Sequence, residues 1–144
     1  MRKLLLADDD MDDRLFFQDA IEELFTTNNL ITVNDGVELM NFLRATLSEL
    51  PDILFLDLNM PRKSGFDCLS EIKLNELLKG IPVVIFSTSL DLEVVNKLYD
   101  NGAHYYIRKP GNFNILKKVI REATIRLEKD SIIRPERRNF IIHH

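Results

Sequence analysis

A doubly wound α/β fold, with five parallel strands between two layers of helices, is the class this sequence predicts, and three observations predict it. Short apolar runs alternate with amphipathic stretches five times along the chain, the mark of repeated βα units. The run Ile53 to Leu56 is apolar at every position, as a strand covered on both faces requires. Polar residues follow four of the runs at or just beyond their ends, and in an open parallel sheet a site forms at the carboxyl ends of the strands.

Lys3 to Ala7 reads as the first strand. Leu15, Phe17, Ala20, Ile21, Leu24 and Phe25 then fall at helical spacing in a first helix that ends near Thr26. Leu30 to Val33 gives a short second strand, stopped by Asn34-Asp35-Gly36, and Val37 to Leu47 a second amphipathic helix before Pro51. Ile53 to Leu56 is the third strand. Gly65 to Leu78 carries Phe66, Leu69, Ile72 and Leu77 on a third helix, with Gly80 as its stop. Pro82 to Phe86 makes the fourth strand, and Leu92 to Tyr99 a fourth helix ended by Asn101-Gly102. His104 to Ile107 is the fifth strand, ahead of Lys109-Pro110, and Asn112 to Leu127 the last helix.

After Glu128 the rhythm breaks. Ser131 to His144 mixes Ile132, Ile133, Phe140, Ile141 and Ile142 with Arg134, Pro135, Arg137 and Arg138, a pattern that suits either an unanchored tail or a partner-binding arm. The closing His143-His144 also fits a cloning remnant. Residues 1–128 are thus expected to form one domain and residues 129–144 a C-terminal extension.

Composition narrows the function. A chain of 144 residues, 45% hydrophobic and 29% charged, suits a single domain with a real core. Its net charge of -4 argues against a general nucleic-acid surface, which needs a basic excess. No leader pattern opens the sequence, and no apolar run approaches the roughly 20 residues that span a bilayer, so neither membrane nor nucleic acid is an expected partner and a cytoplasmic location is. Cys68, the single cysteine, has no partner for a disulfide or a zinc site and reads as core filler.

The chemistry collects at the strand ends. Asp8 and Asp9 follow the first strand, Asp57 the third, Ser87-Thr88-Ser89 the fourth and Lys109 comes shortly after the fifth, which places them around one pocket. Oxygen-rich, nitrogen-poor donors suit a hard cation, and Mg²⁺ binds through a few carboxylates while keeping water and phosphate oxygens. One Mg²⁺ and Lys109 would balance the three carboxylates; without a cation their repulsion makes at least one resist ionisation. Other acids of the run read more simply. Asp10, Asp12 and Asp13 complement the first helix's dipole, with Asp10 as N-cap. Taken alone, Ser87 is a loop hydroxyl and Tyr106 a packing residue, His104 a structural edge residue, and Phe16-Phe17 core or surface.

The segments LLLADDD, ILFLDLNMP, VVIFSTS and YYIRKP resemble the motifs of two-component response-regulator receiver domains, over about residues 2–128. The resemblance implies the flavodoxin-like strand order 2-1-3-4-5, known for CheY. It implies that Asp57 is the phosphoacceptor, a nucleophile towards a phosphohistidine on a sensor histidine kinase or histidine phosphotransfer protein. Asp8 and Asp9 match the metal-binding acids, and Asn59 the position whose backbone carbonyl completes the metal shell. Ser87 and Lys109 match the groups that grip the phosphoryl oxygens, and Tyr106 the aromatic switch. A phosphoryl group adds roughly two negative charges and three acceptor oxygens, so Ser87 is expected to move towards it and leave room for Tyr106 to swing in. That changes the face of the fourth helix, fifth strand and fifth helix, through which a homodimer also fits. The family's cis bond would fall at Lys109-Pro110.

Two local departures carry expectations of their own: Thr88 is larger than usual and crowds donor entry, while Arg62-Lys63 puts two cations near the phosphate. NMPRKSGFD and DDDMDD resemble single-domain regulators paired with phytochrome-type histidine kinases. A Mg²⁺-dependent aspartate-nucleophile phosphohydrolase needs similar groups, but also an acid two residues after the nucleophile, where this chain has Asn59. The complete acid set speaks against a degenerate, phosphate-independent binding module. A signalling module, not an enzyme, is therefore expected.

Overall fold

A computed structural model of the chain describes residues 2–130 and 133–144, so Ser131 and Ile132 of the expected extension lie outside the described residues. The elements follow in the order β1 (Arg2–Ala7), α1 (Met11–Leu24), β2 (Asn28–Val33), α2 (Gly36–Ala45), β3 (Ile53–Leu56), α3 (Gly65–Leu74), β4 (Val83–Ser87), α4 (Leu92–Asp100), β5 (Tyr105–Arg108) and α5 (Phe113–Lys129). All strand pairs are parallel, in the order β2-β1-β3-β4-β5. The flavodoxin-like expectation holds.

Alternation along the strands builds two cores. Leu5, Leu54, Leu56, Val83 and Ile85 face Leu39, Leu43, Leu69, Ile72 and Leu98 of α2, α3 and α4. Leu4, Leu6, Phe55, Val84 and Ile107 face Phe17, Ile21, Val119, Ile120 and Ala123 of α1 and α5. Because successive residues of a strand point to opposite faces, a run that is apolar throughout feeds both layers. Cys68 is buried in the first core, as expected.

Differences from the expected boundaries are local. Helix α1 stops at Leu24, and Leu15 is turned outward. Helix α3 ends at Leu74, four residues early, because Asn75 takes over: its side chain accepts from the Leu77 N–H at 2.8 Å, and its carbonyl accepts from Leu78 and Lys79. Leu77 is thus exposed and Leu78 buried, so the apolar spacing there belonged to a turn rather than a helix. His104 precedes β5, where its amide donates to the Val83 carbonyl at 2.8 Å and its ring Nδ1 accepts from the Val83 N–H at 3.4 Å. Of the pair Phe16-Phe17, Phe17 is core, meeting Phe55 and Phe86 edge-on.

The larger difference is the C-terminal extension, which is docked on its own chain. Arg134 donates to the carbonyls of Tyr99 and, at 3.1 Å, Ala103, while the Tyr99 hydroxyl donates to the Pro135 carbonyl at 2.7 Å. After a short 3-10 turn (Arg137–Asn139), Ile141 pairs with Tyr106 in parallel. Phe140 enters the first core and Ile142 the second, the alternation of a strand. The outer edge of β5 is therefore covered.

Candidate functional site at the carboxyl ends of β1, β3 and β5

Register places the two central acids. Ala7 pairs with Leu56, so the next residues, Asp8 and Asp57, leave adjacent strands side by side. The Asp57 amide donates to the Ala7 carbonyl at 2.9 Å and the Asp8 amide to Val33 at 3.1 Å, which extends the ladder one residue past each strand. Gly65, at the start of α3, passes so close behind that a Cβ there would lie 2.0 Å from the Asp57 carbonyl oxygen. No larger residue fits.

Asp8, Asp9 and Asp57 bring one carboxylate oxygen each to within 4.8 Å of one another. Asp8 is fully buried and Asp57 nearly so, whereas Asp9 opens to solvent. Asp8 Oδ1 accepts from the Asp10 amide at 3.0 Å, and Arg14 donates to the Asp8 carbonyl at 2.8 Å. Asp8 Oδ2 lies 2.8 Å from Lys109 Nζ in an ion pair and has no further polar partner among the described residues. Buried charges cost stability unless they are balanced, and the single Lys109 ammonium faces three carboxylates, which leaves an excess of negative charge. Together with an all-oxygen donor set, this fits a hard divalent cation held by the three acids.

Lys109 reaches over from the far side of the sheet, its amide anchored to the Ser87 carbonyl at 2.8 Å. Its ammonium lies 2.8 Å from Asp13 Oδ2 and 3.4 Å from Asp57 Oδ2, and 5.7 Å from the Phe86 ring centroid. Burial alone would lower its pKa, but the hydrogen bonds it donates to Asp13 and Asp8 and the Asp57 charge outweigh that and raise it, so the ammonium stays charged. Asp57 is pushed from 3.8 up to about 6, chiefly by burial and further by the Asp8 charge, with Lys109 pulling against both.

The expected residues divide accordingly. Asp8, Asp9, Asp57 and Lys109 meet. Ser87, fully buried at the end of β4, stands next to Lys109, with its Oγ 3.5 Å from Ser89 Oγ. Asn59 is exposed in the loop after β3. Tyr106 is already fully buried, its hydroxyl donating to the Ser89 carbonyl and its ring under Phe140, so the outward starting position expected of it is not the one found. The Lys109–Pro110 bond is trans, since no peptide bond among the described residues is cis. Arg62 and Lys63 are drawn to Asp35 and Glu71 instead of the Asp57 cluster, Arg62 with a left-handed backbone (φ 67°). Thr88 is exposed, its carbonyl accepting from Arg108 at 3.4 Å. Asp10 caps α1 by accepting from the Asp13 amide at 3.0 Å, as expected.

One residue was missed. Asp13, read as a helix-dipole acid, is a direct partner of Lys109. The only sequence signal was its place in the first turn of the helix that directly follows Asp8 and Asp9.

Comparison with known proteins gives a consistent picture. Residues 4–121 match the model of the response regulator receiver domain. The response regulator Rcp1 of Synechocystis sp. is 34% identical over 121 residues, which cover 81% of this chain and 82% of Rcp1. The phosphorylated cyanobacterial phytochrome response regulator RcpA superposes with a TM-score of 0.79 at 33% identity, covering 94% of this chain and 99% of RcpA. The Mn²⁺-bound form of Rcp1 gives 0.76 at 29% identity, covering 94% and 100%.

Proposed function

The chain belongs to the response regulator receiver domain family, and from that premise we propose that Asp57 is its phosphoacceptor in a two-component phosphorelay. One observation carries the assignment: a buried carboxylate at a strand end shares a cluster with two further acids and lies 3.4 Å from a buried ammonium. An Asp57 oxygen attacks the phosphorus of a donor phosphohistidine; the O–P bond forms as the N–P bond breaks, and the released imidazole takes up a proton. Asp8, Asp9, Asp57 and the Asn59 carbonyl would hold Mg²⁺, the metal that best suits oxygen donors open to phosphate, which would supply positive charge against the phosphoryl oxygens. The Mn²⁺ form of the relative Rcp1 supports a divalent cation here.

Lys109 then grips one phosphoryl oxygen and Ser87 another, which alters the packing between Ser87 and Tyr106 and so the α4-β5-α5 face. Phytochrome regulators among the similar structures support a phytochrome-type histidine kinase as donor. We read residues 1–128 as the receiver and 129–144 as an extension lying on its output face, where a second copy of the chain would also dock. The net charge supports a partner other than nucleic acid, and no helix among the described residues is long and apolar enough to cross a membrane; cytoplasmic signalling without catalytic turnover is the role that suits both. Intact-mass analysis under acetyl phosphate with Mg²⁺ tests the assignment. One added phosphoryl group on the native chain and none on Asp57→Asn is expected, and equal labelling of both would overturn it. Turnover of a generic phosphate ester at enzyme-like rates would favour the phosphohydrolase instead.

A further inference from the structure

Asp13 partners Lys109 without belonging to the metal cluster, and we propose that it is a positioning residue: it competes with Asp57 for the ammonium and holds it at the shorter distance until a phosphoryl group draws it in. This rests on the phosphoacceptor reading of Asp57. Lys109 Nζ is nearer to Asp13 Oδ2, at 2.8 Å, than to Asp57 Oδ2, at 3.4 Å. Asp13 is fixed where it stands by its amide, bonded to the Asp10 side chain in the first turn of α1.

An ammonium has three protons to give, and Asp8, Asp13 and Asp57 surround it with three carboxylates. Phosphorylation turns Asp57 itself into an acyl phosphate, so a phosphoryl oxygen that draws in the ammonium competes for it with Asp8 and Asp13. Asp8 is a poor candidate to give it up, because its Oδ2 is fully buried, where water cannot take the place of Lys109. Asp13 is the group that yields: its side chain is 38% exposed, so water replaces Lys109 at small cost. The exchange of Lys109 from Asp13 to the phosphoryl group then sets how tightly the site grips its modification. Since a half-exposed ion pair is weak, the effect is about threefold in affinity rather than orders of magnitude.

Beryllofluoride, which mimics a phosphoryl group on a carboxylate, tests this with native chain, Asp13→Asn and Asp13→Glu at saturating Mg²⁺, alongside Mg²⁺ titrations without it. Asp13→Asn is expected to bind beryllofluoride about threefold more tightly, with unchanged Mg²⁺ affinity, and Asp13→Glu to return towards the native value. A merely structural role would move thermal stability but not this ratio. Equal or weaker beryllofluoride binding by Asp13→Asn overturns the proposal, as does an equal gain in Mg²⁺ affinity, which would mean that Asp13 acts through overall charge. A native chain that binds no beryllofluoride overturns the phosphoacceptor reading as well.

Discussion

Phe140 holds the backbone of Tyr106: the Tyr106 amide donates to the Phe140 carbonyl at 3.0 Å, and the two rings lie 6.3 Å apart. Ile142 completes the grip by donating to the Tyr106 carbonyl at 2.9 Å. The residue in the aromatic switch position is thus a rung of a ladder with the chain's own C-terminal arm.

Deleting residues 133–144 should therefore speed hydrogen exchange at the Tyr106 amide, read by NMR, while amides of β1 and β3 keep their protection. Phe140→Ala, which empties a buried ring site against Tyr99 and Tyr106, should cost about 3–5 kcal/mol in urea unfolding. Unchanged exchange at Tyr106 in the shortened chain would show that the arm does not protect it in solution.

Lys109→Met strips the cation from two buried carboxylates. Removing one partner of a buried ion pair costs about 3–5 kcal/mol, so the metal-free variant should lose about that much at pH 7, with saturating Mg²⁺ restoring a large part. A metal-free variant as stable as the native chain would contradict the compensation described for Asp8 and Asp57.

The raised pKa of Asp57 makes metal-free stability depend on pH in a defined direction. The folded chain binds this proton more tightly than the unfolded one, so the contribution is complete below pH 3.8 and is lost as pH rises through about 6. A shift of that size corresponds to at most about 3 kcal/mol. Asp57→Asn should remove this dependence and be the more stable protein at pH 7 without metal. Parallel stability curves for the two chains between pH 4 and 7 would refute it.

Gly65→Ala places a methyl group 2.0 Å from the Asp57 carbonyl oxygen, in backbone that has no room to give. A loss of about 2–3 kcal/mol is expected from the clash, together with slower phosphorylation, since α3 and Asp57 must part. Native labelling rates in a destabilised Gly65→Ala would separate packing from site geometry.

Much of this was legible in the sequence because the signals were local and dense. The run Ile53 to Leu56 feeds both cores and could hardly be anything but a central strand, and an acid at its end marks the pocket edge. Asp13 was hidden because its partner lies 96 residues away, and an acid in a first helical turn has a sufficient local reason to be there. The docked arm was hidden for a related cause: Phe140 and Ile142 alternate as a strand should, but over too few residues, behind a stretch of arginines and a proline. Leu77 misled because a turn held by Asn75 can present apolar residues at helical spacing.

The pairing of Ala7 with Leu56 has a consequence for how this pocket can vary. The distance between Asp8 and Asp57 is set by the separation of two adjacent strands, a length of about 4.8 Å common to all sheets, rather than by the loops. Insertions or substitutions in the connections can retune entry, charge and partner choice while leaving that spacing untouched. A slip of one residue, by contrast, would turn every side chain of a strand to the opposite face and exchange its contributions to the two cores. The acid pair therefore behaves as a fixed gauge, built to the tolerance of the sheet itself, around which the rest of the surface is free to change.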